Sequence, residues 1–420
     1  MVTEVDVAVV GAGSAGLGIG YYLQQVGLSF LIVERGRIGE SWRSQRWDSF
    51  VVNTPNWMNT LPGSPYQGAD NDGFCSGREL VESLERHAST HALPIRSGTT
   101  VTRVGRAEDT DHFVVETLDN AGARDSIRTR NVVLASGSMN SPKVPAPSGR
   151  LPDSVEQLHA ADYRSPAGLS EGAIVVIGSG QSGCQIAEEL IGAGRTVYLC
   201  TSRVARVPRR YRGRDTLSWM RDMGLLDQEV GDLPDPVMEF AAQPQVSGVG
   251  VRGRTVSLQG MQRQGVGLMG RLVGIVDGVL TTDDRLADHV AFADGFSAQF
   301  KRDVDTHIAA NGIDAPGGED DPIDAPAGPE IAEAGLTTLD LAAAGVTTVI
   351  WCTGFRASFD WLQVPVTDDL GRPVHVRGVS PVPGIYFLGF PWLHSRKSGI
   401  IFGIDEDARH ITETITSRTH

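Results

Sequence analysis

The chain has 420 residues, which is long enough for more than one hydrophobic core, and its formal net charge is -14. Such an acidic composition argues against nucleic acid or an anionic membrane surface as the main partner. No apolar run is long enough to span a bilayer, and no basic segment leads into an apolar one at the start, so we expect a cytoplasmic protein. The four cysteines are scattered without metal or redox spacing, and we expect reduced packing residues and no bound metal.

The first predicted element is a strand that breaks into closely spaced glycines. Residues 6–16 spell Asp-Val-Ala-Val-Val-Gly-Ala-Gly-Ser-Ala-Gly, which is typical of a strand, a tight turn and a helix whose N-terminus binds the pyrophosphate of a dinucleotide. Gly11 permits the turn, Gly13 lets the pyrophosphate approach, and Gly16 lets the helix pack against the strand. In this first glycine turn, the expected cofactor contacts are Gly11, Gly13, Ser14, Ala15 and Gly16.

The sequence after the turn predicts a helix over 17–26 and a strand over 28–33 that ends on Glu34. An acid about twenty residues beyond the turn suits the ribose hydroxyls of a dinucleotide without a 2'-phosphate. Glu34 and the adjacent Arg35 are therefore candidate cofactor contacts.

Turn residues dominate the next segment, 35–55, which also contains Ser41, Trp42 and Asn53. One interpretation makes this segment a loop anchored by buried tryptophans, with Asn53 satisfying backbone groups before Pro55. The other makes it a loop that wraps the cofactor, with Ser41, Trp42 and Asn53 as contacts.

A helix is predicted over 77–93, followed by strands over 99–104, 113–117 and 126–135 that alternate like a small antiparallel layer. The last strand returns toward the first sheet. Val101 and Gly137, on the first strand and after the last, are candidate cofactor contacts.

A proline-rich connection over 141–147 leads to a second strand, glycine turn and helix, at residues 173–183. Two such signatures in one chain are far more specific than one. A further strand is predicted over 195–200. In this second glycine turn, the expected cofactor contacts are Gly178, Gly180, Gln181, Ser182 and Gly183.

The second unit has Thr201, Ser202 and Arg203 where the first has its acid. Hydroxyl donors and an arginine can hold a 2'-phosphate, so the first turn suits FAD and the second NADPH. An arginine run follows, and we expect it to form an electropositive mouth for NADPH, with Arg209 and Arg210 as candidate contacts.

The rest of the chain completes the predicted fold, which is α/β with two Rossmann-like domains, the NADPH domain inserted into the FAD domain. We expect the FAD domain at 1–143 and 346–420, and the NADPH domain at 144–345 with an insertion at about 215–315. An exposed loop is predicted over 312–330, and a terminal helix over 405–417. A strand over 347–352 runs into Thr353 and Gly354, which are further candidate cofactor contacts.

On these residues the chain resembles the class B flavoprotein monooxygenases, which include flavin-containing monooxygenases and bacterial oxidoreductases described as flavoproteins of potassium transport. The segments that carry the resemblance are 11–16, 34, 39–42, 134–137, 178–183 and 350–355. The resemblance implies that a hydride passes from NADPH to FAD, that dioxygen then reacts with the flavin, and that NADP+ stays bound. It also implies that Asn53 is the active-site asparagine.

The family's linker fingerprint is only half present, because His159 and Tyr163 match it while Asp153 and Val155 depart from it. A typical Baeyer-Villiger enzyme would have tryptophan in place of Tyr163. The first hypothesis is therefore oxygenation of a small organic substrate at nitrogen or sulfur. Oxygenation of a ketone, and an NADPH oxidase or regulatory flavoprotein, are the alternatives, and a homodimer is left open. A disulfide reductase is set aside, since no close cysteine pair follows either strand.

Overall fold

The computed structural model describes residues 2–108, 111–233, 243–250, 252–318, 321–328, 330–333 and 335–419. The helices are α1 (Ser14–Gln25), α2 (Glu40–Ser44), α3 (Gly77–Thr90), α4 (Gln181–Gly192), α5 (Thr216–Asp222), α6 (Leu258–Arg263), α7 (Leu286–Asn311), α8 (Glu330–Glu333) and α9 (Ile404–Thr419). The strands are β1 (Val2–Val10), β2 (Phe30–Val33), β3 (Ile95–Arg96), β4 (Thr99–Arg106), β5 (Phe113–Asp119), β6 (Arg124–Leu134), β7 (Ser141–Pro142), β8 (Glu156–His159), β9 (Ala173–Ile177), β10 (Val197–Cys200), β11 (Arg210–Tyr211), β12 (Arg214–Asp215), β13 (Gly267–Met269), β14 (Leu272–Val276), β15 (Val279–Thr282), β16 (Thr338–Asp340), β17 (Val346–Trp351), β18 (Phe355–Arg356) and β19 (Ile385–Phe387).

The first sheet has the strand order β3-β2-β1-β6-β5-β4, and β19 also pairs with β6. Strand β1 pairs in parallel with β2 and β6, while β4, β5 and β6 form the predicted antiparallel layer. The layer is not separate, because β6 is long enough to pair with β5 near its start and with β19 at its end. The antiparallel strands therefore extend the sheet that carries the first glycine turn.

The second sheet is parallel and has the order β13-β10-β9-β17-β8. Its central strand is buried along its whole length, which is typical of a parallel sheet covered on both faces. Two predicted boundaries are wrong here. Strand β17 belongs to this sheet, so the return to the first unit lies after Trp351 and not at 346. Strand β13 also belongs to it, so the region 215–315 is not entirely an insertion.

The chain leaves the first unit and returns to it through adjacent strands. Strand β7 pairs antiparallel with β18. Beside this pair, the carbonyl oxygen of Gly354 accepts hydrogen bonds from the Lys143 backbone N–H and from His159 Nε2, each at 3.0 Å. The predicted α/β fold, with one Rossmann-like unit inserted into the other, is confirmed.

The region after β12 contains a 26-residue helix, α7, that the sequence analysis did not predict. It packs against the second unit through buried residues such as Val290 and Val304. The loop predicted over 312–330 is not exposed throughout, since Asp324 is 2% exposed. Residues 319, 320 and 329 of that loop lie outside the described residues.

Across the part of the chain that the structure describes, no helix has both the length and the apolar character needed to cross a bilayer.

Candidate functional site

The first glycine turn joins β1 to α1, and its geometry requires two of its glycines. Gly11 has φ +108°, and a Cβ there would lie 2.5 Å from the Ala135 carbonyl oxygen. A Cβ on Gly16 would lie 1.9 Å from the Gly11 carbonyl oxygen. Both contacts are closer than any side chain tolerates, so these glycines permit the tight turn and the close approach of helix and strand.

Gly13 differs from its two neighbours, because a Cβ there would meet no atom within 4 Å. Gly13 is the N-cap residue of α1, and no side chain caps this helix. Ser14 and Ala15 form the first turn of the helix, where backbone N–H groups have no intrahelical acceptor. Open space over uncapped N–H groups fits a pyrophosphate.

Glu34 closes one side of the first turn. It is 8% exposed, and its Oε2 and Oε1 atoms accept hydrogen bonds of 2.8 Å from the backbone N–H groups of Ala12 and Gly36. A carboxylate retains further lone pairs for ribose hydroxyls. Arg35 is exposed beside it, and Gly137, with φ +76° and open space around it, follows β6. These positions fit the predicted dinucleotide site.

The second glycine turn, between β9 and α4, repeats this geometry. Gly178 has φ +106°, and a Cβ there would lie 2.5 Å from the Cys352 carbonyl oxygen. A Cβ on Gly183 would lie 1.8 Å from the Gly178 carbonyl oxygen, while one on Gly180 would meet nothing within 4 Å. The second turn therefore has the same open space at its middle glycine and fits a second dinucleotide.

The remaining candidates of the second unit lie around this turn. Gln181 and Ser182 begin α4, and both are partly exposed. Gln181 Oε1 accepts a 3.2 Å hydrogen bond from the Val246 backbone N–H. Thr353 and Gly354 follow β17, next to the Cys352 carbonyl that faces Gly178. Thr353 donates its hydroxyl hydrogen to the Lys143 carbonyl oxygen.

The three candidates for the 2'-phosphate have different environments. Arg203 is exposed, and its guanidinium carbon lies 3.9 Å from the centroid of the Phe292 ring. Ser202 is partly exposed. Thr201 is 2% exposed, and its hydroxyl bonds the Met269 carbonyl oxygen at 2.8 Å and His289 Nδ1 at 2.9 Å. Because this hydroxyl is fully used inside the core, its predicted contact with a phosphate is wrong, while Ser202 and Arg203 stay candidates.

The arginine run does not form the predicted electropositive mouth, because aspartates neutralise most of it. Arg209 is 1% exposed, its Nε donates to Asp215 Oδ2 at 2.7 Å, and burial lowers its pKa. The other pairs are Arg206 with Asp294 and Asp324, Arg212 with Asp305, and Arg214 with Asp222. Arg209 is thus a structural residue, and its predicted role as a contact of NADPH is wrong. Arg210 has no carboxylate partner among the described residues. It lines a cleft together with Trp57 and Asp72, and no residue of the second glycine turn lines that cleft.

Asn53 lies where the two units meet. Its Oδ1 atom accepts hydrogen bonds from Gln185 Nε2 at 2.7 Å and from the Gly248 backbone N–H at 3.1 Å. Its backbone oxygen accepts a 2.8 Å bond from Arg209 Nη1. Since two donors fix the oxygen, the orientation of the amide is determined, and Asn53 Nδ2 has no acceptor within the described part of the chain.

The loop before Asn53 has one of the two buried tryptophan anchors that the first interpretation expects. Trp47 is 6% exposed and packs edge-on against Phe50, with ring centroids 5.0 Å apart, so it is a buried anchor. Trp42 is partly exposed in α2, and Ser41 beside it is exposed. Both stay candidate contacts. Val101 is 8% exposed and packs in the same apolar cluster as Val33, so its side chain is a core residue.

The four cysteines are free thiols. Burial raises the pKa of Cys200 and of Cys352 to about 12, and raises the pKa of Cys184 as well. A thiol acts as a nucleophile only when ionised. Cys184 and Cys200 are buried packing residues, and burial disfavours the thiolate form of these two and of Cys352.

Sequence reasoning missed three residues of the site. Gln185 follows Gln181 by one helical turn, so the two lie on one face of α4, and this spacing was a usable signal. Gly389 follows β19, and a Cβ there would lie 2.6 Å from Ala15 Cβ, which brings this segment against the first turn. Phe292, which stacks on Arg203, lies in the unpredicted helix α7 and gave no signal.

Known proteins match this chain over its length. The pyridine nucleotide-disulphide oxidoreductase family matches residues 8–219. A CzcO-like oxidoreductase of Geobacillus kaustophilus is 30% identical over 424 residues, which cover 98% of each chain. A senecionine N-oxygenase of Tyria jacobaeae is 28% identical over 204 residues, or 44% of each chain. A flavin-containing monooxygenase of Stenotrophomonas maltophilia shares the fold, with a TM-score of 0.67 at 19% identity and 100% of both chains covered.

The family and the two glycine turns together confirm the predicted cofactors, FAD and NADPH, and the prediction of an oxidoreductase. The chain is similar to flavin-containing monooxygenases, and it belongs to the pyridine nucleotide-disulphide oxidoreductase family.

Proposed function

We propose that this enzyme oxygenates a small organic substrate at a nitrogen or sulfur atom. For a thioether, NADPH, a proton, dioxygen and the thioether give NADP+, water and the sulfoxide, so one oxygen atom enters the product and the other leaves as water. When bound, FAD supplies the redox chemistry, since it accepts a hydride from NADPH and passes electrons to dioxygen. The similarity to an N-oxygenase supports nitrogen as one of the two candidate atoms.

FAD is assigned to the first glycine turn and NADPH to the second. The acid Glu34 beside the first turn suits unphosphorylated ribose, while Arg203 beside the second suits a 2'-phosphate. In this assignment the FAD-binding unit consists of residues 1–143 and the chain after Trp351, since β17 pairs within the second sheet.

The single observation that carries this proposal is the position of Asn53 between the two units. Gln185 belongs to the helix that begins at the second turn, and it orients Asn53 so that only the Nδ2 hydrogens are open. An amide N–H can donate to a developing negative charge without bringing a full charge of its own. The role of Asn53 is therefore to donate a hydrogen bond during the reaction with dioxygen.

A panel of matched amines, thioethers and ketones tests the proposal. NADPH consumption, peroxide release and product formation are measured together for each compound. We expect an amine or a thioether to raise NADPH consumption and to yield an equal amount of oxygenated product with little peroxide. Ester formation from a ketone would show Baeyer-Villiger chemistry instead. Peroxide as the sole product with every compound would show an oxidase.

A further inference from the structure

A cleft of about 360 Å³ lies between the two units. None of the residues that line it belongs to either glycine turn. One wall comes from the loop around Trp57 and Asp72 in the first unit. The other wall comes from the hairpin β11–β12 and from α5, with Arg210, Arg214 and Arg221. We call it the arginine cleft. Its volume suits a small organic molecule.

The arginine cleft is lined by three arginines and by the carboxylates of Asp72 and Asp215. Arg210 donates to the Gly213 carbonyl oxygen at 2.6 Å and has no carboxylate partner in the described parts of the chain. Arg214 and Arg221 share one carboxylate, that of Asp222. On the opposite side Asp72 is exposed at the rim. Because Asp215 is paired with Arg209, Arg210 is the lining cation that no carboxylate in the described parts of the chain neutralises, and it favours an anionic group on a ligand.

The cleft also has an aromatic wall. The guanidinium carbon of Arg221 lies 4.5 Å from the centroid of the Trp57 ring, and Trp57 packs edge-on against Phe402 at 5.2 Å. The Nε1 atom of Trp57 is buried without a hydrogen-bond partner. A buried donor of this kind is costly unless a ligand or water satisfies it. Arginines beside an indole suit a carboxylate attached to an apolar body.

Hydrogen bonds connect the arginine cleft to Asn53. Asp215 lines the cleft and accepts a 2.7 Å bond from Arg209 Nε. The same guanidinium donates through Nη1 to the Asn53 carbonyl oxygen at 2.8 Å. The side chain of Arg209 therefore connects Asp215, in the wall of the cleft, with the backbone of Asn53.

We propose that the arginine cleft binds the carboxylate of the substrate, with Arg210 as its main contact, so that the substrate is a small organic acid carrying the nitrogen or sulfur atom. This inference rests on the proposed oxygenation. It adds the class of substrate and a specificity-determining residue, Arg210, that neither glycine turn supplies.

The test compares a thioether carboxylic acid with its uncharged primary amide as substrates of the holoenzyme. We expect the acid to have the lower KM, and Arg210→Gln to raise that KM about ten- to a hundredfold while leaving the KM for the amide unchanged. The matched control is Arg212→Gln, in the same hairpin but paired with Asp305, and it should leave both values unchanged. The rate of flavin reduction by NADPH without substrate should stay normal in Arg212→Gln.

Two results would overturn the cleft proposal while leaving oxygenation intact. One is equal turnover of the acid and the amide with no effect of Arg210→Gln. The other is a raised KM for NADPH in Arg210→Gln, which would return Arg210 to the cofactor.

If neither compound is oxygenated, the proposed function fails. Calorimetry of the thioether acid binding to the oxidised holoenzyme then tests whether the cleft is a carboxylate site. Binding that weakens in Arg210→Gln but not in Arg212→Gln would support the cleft as a carboxylate site. Binding that is absent, or equal in all three proteins, would refute it.

Discussion

Replacing Gly13 by valine should remove FAD without unfolding the protein. Gly13 has φ -79° and ψ -173°, a conformation open to any residue, and a Cβ there would meet no protein atom within 4 Å. The two neighbouring glycines behave differently, since a Cβ on Gly11 or Gly16 would collide with backbone. Gly13→Val therefore separates the loss of cofactor from the loss of fold.

The size of the effect follows from what the valine would displace. Its side chain would fill the space over the N-terminus of α1, where the pyrophosphate is expected. Hydrogen bonds to charged groups contribute about 1.5–3 kcal/mol each, so losing two would weaken FAD binding by about 3–6 kcal/mol, or roughly a hundred- to ten-thousandfold. The protein itself should lose only about 1 kcal/mol, because valine is a poorer N-cap residue than glycine.

The assay measures the flavin content of the purified protein from its absorbance, and the unfolding temperature of the apoprotein. Gly180→Val is the matched control, because Gly180 occupies the equivalent open position in the second turn. It should retain FAD but lose rapid flavin reduction by NADPH. A Gly13→Val protein with a full complement of FAD would refute the assignment of FAD to the first turn, and so would a Gly180→Val protein without FAD.

The remaining predictions concern the nicotinamide cofactor, the amide and pH. Arg203→Ala should lower the preference for NADPH over NADH in flavin reduction about ten- to a hundredfold, while Arg212→Ala should not; an unchanged preference in Arg203→Ala would assign the phosphate to another residue. In Asn53→Ala, NADPH should reduce the flavin at a near-normal rate, but peroxide should be released in place of product. Gln185→Leu should release peroxide to a smaller extent. An unchanged ratio of product to NADPH consumed in both variants would remove the amide from the mechanism. Burial lowers the pKa of His87 from 6.5 to about 4, so the stability from its neutral form is present above pH 6.5 and is lost as the pH falls toward 4. This loss amounts to at most about 3 kcal/mol. Urea unfolding should show that the free energy of unfolding falls less between pH 7 and pH 4 in His87→Gln than in the unaltered protein. An equal fall in both proteins would refute the role of His87.

The two glycine turns could be predicted because their constraints are local. A short apolar strand, glycines at fixed spacing and a following helix are all encoded within a few residues of one another. The structure shows why, since Gly11 and Gly16 meet backbone atoms of their own unit. Glu34 was found in the same way, through its fixed distance from the turn.

The arginine run was misinterpreted because its partners lie far away in the sequence. Arg206 is neutralised by Asp294 and Asp324, and Arg212 by Asp305, from α7 and the segment after it. The sequence of the arginine run does not distinguish an arginine in a buried ion pair from an exposed one. Long-range pairing of this kind depends on the tertiary fold, which local charge patterns do not encode.

The boundary at 346 failed for a related reason. Residues 346–351 form an apolar strand whose composition would suit either sheet, and only its pairing with β9 and β8 places it in the second. Helix α7 was missed because its apolar residues do not keep to one face, as in the consecutive residues 290–293, and because Gly295 interrupts it, so no strong periodicity marks it. The contact of Asn53 with Gln185 could not be predicted from the sequence, because it forms only where the two units meet.

The central claim is that electrons from NADPH are used to place one atom of dioxygen in an organic product. The most direct test supplies the holoenzyme with NADPH, a thioether acid and dioxygen labelled with the heavy oxygen isotope, and analyses the product by mass spectrometry. We expect a sulfoxide that contains one labelled oxygen atom for each NADPH consumed. NADPH consumption that yields labelled peroxide and an unchanged thioether, for this acid and for the amine panel alike, would contradict it.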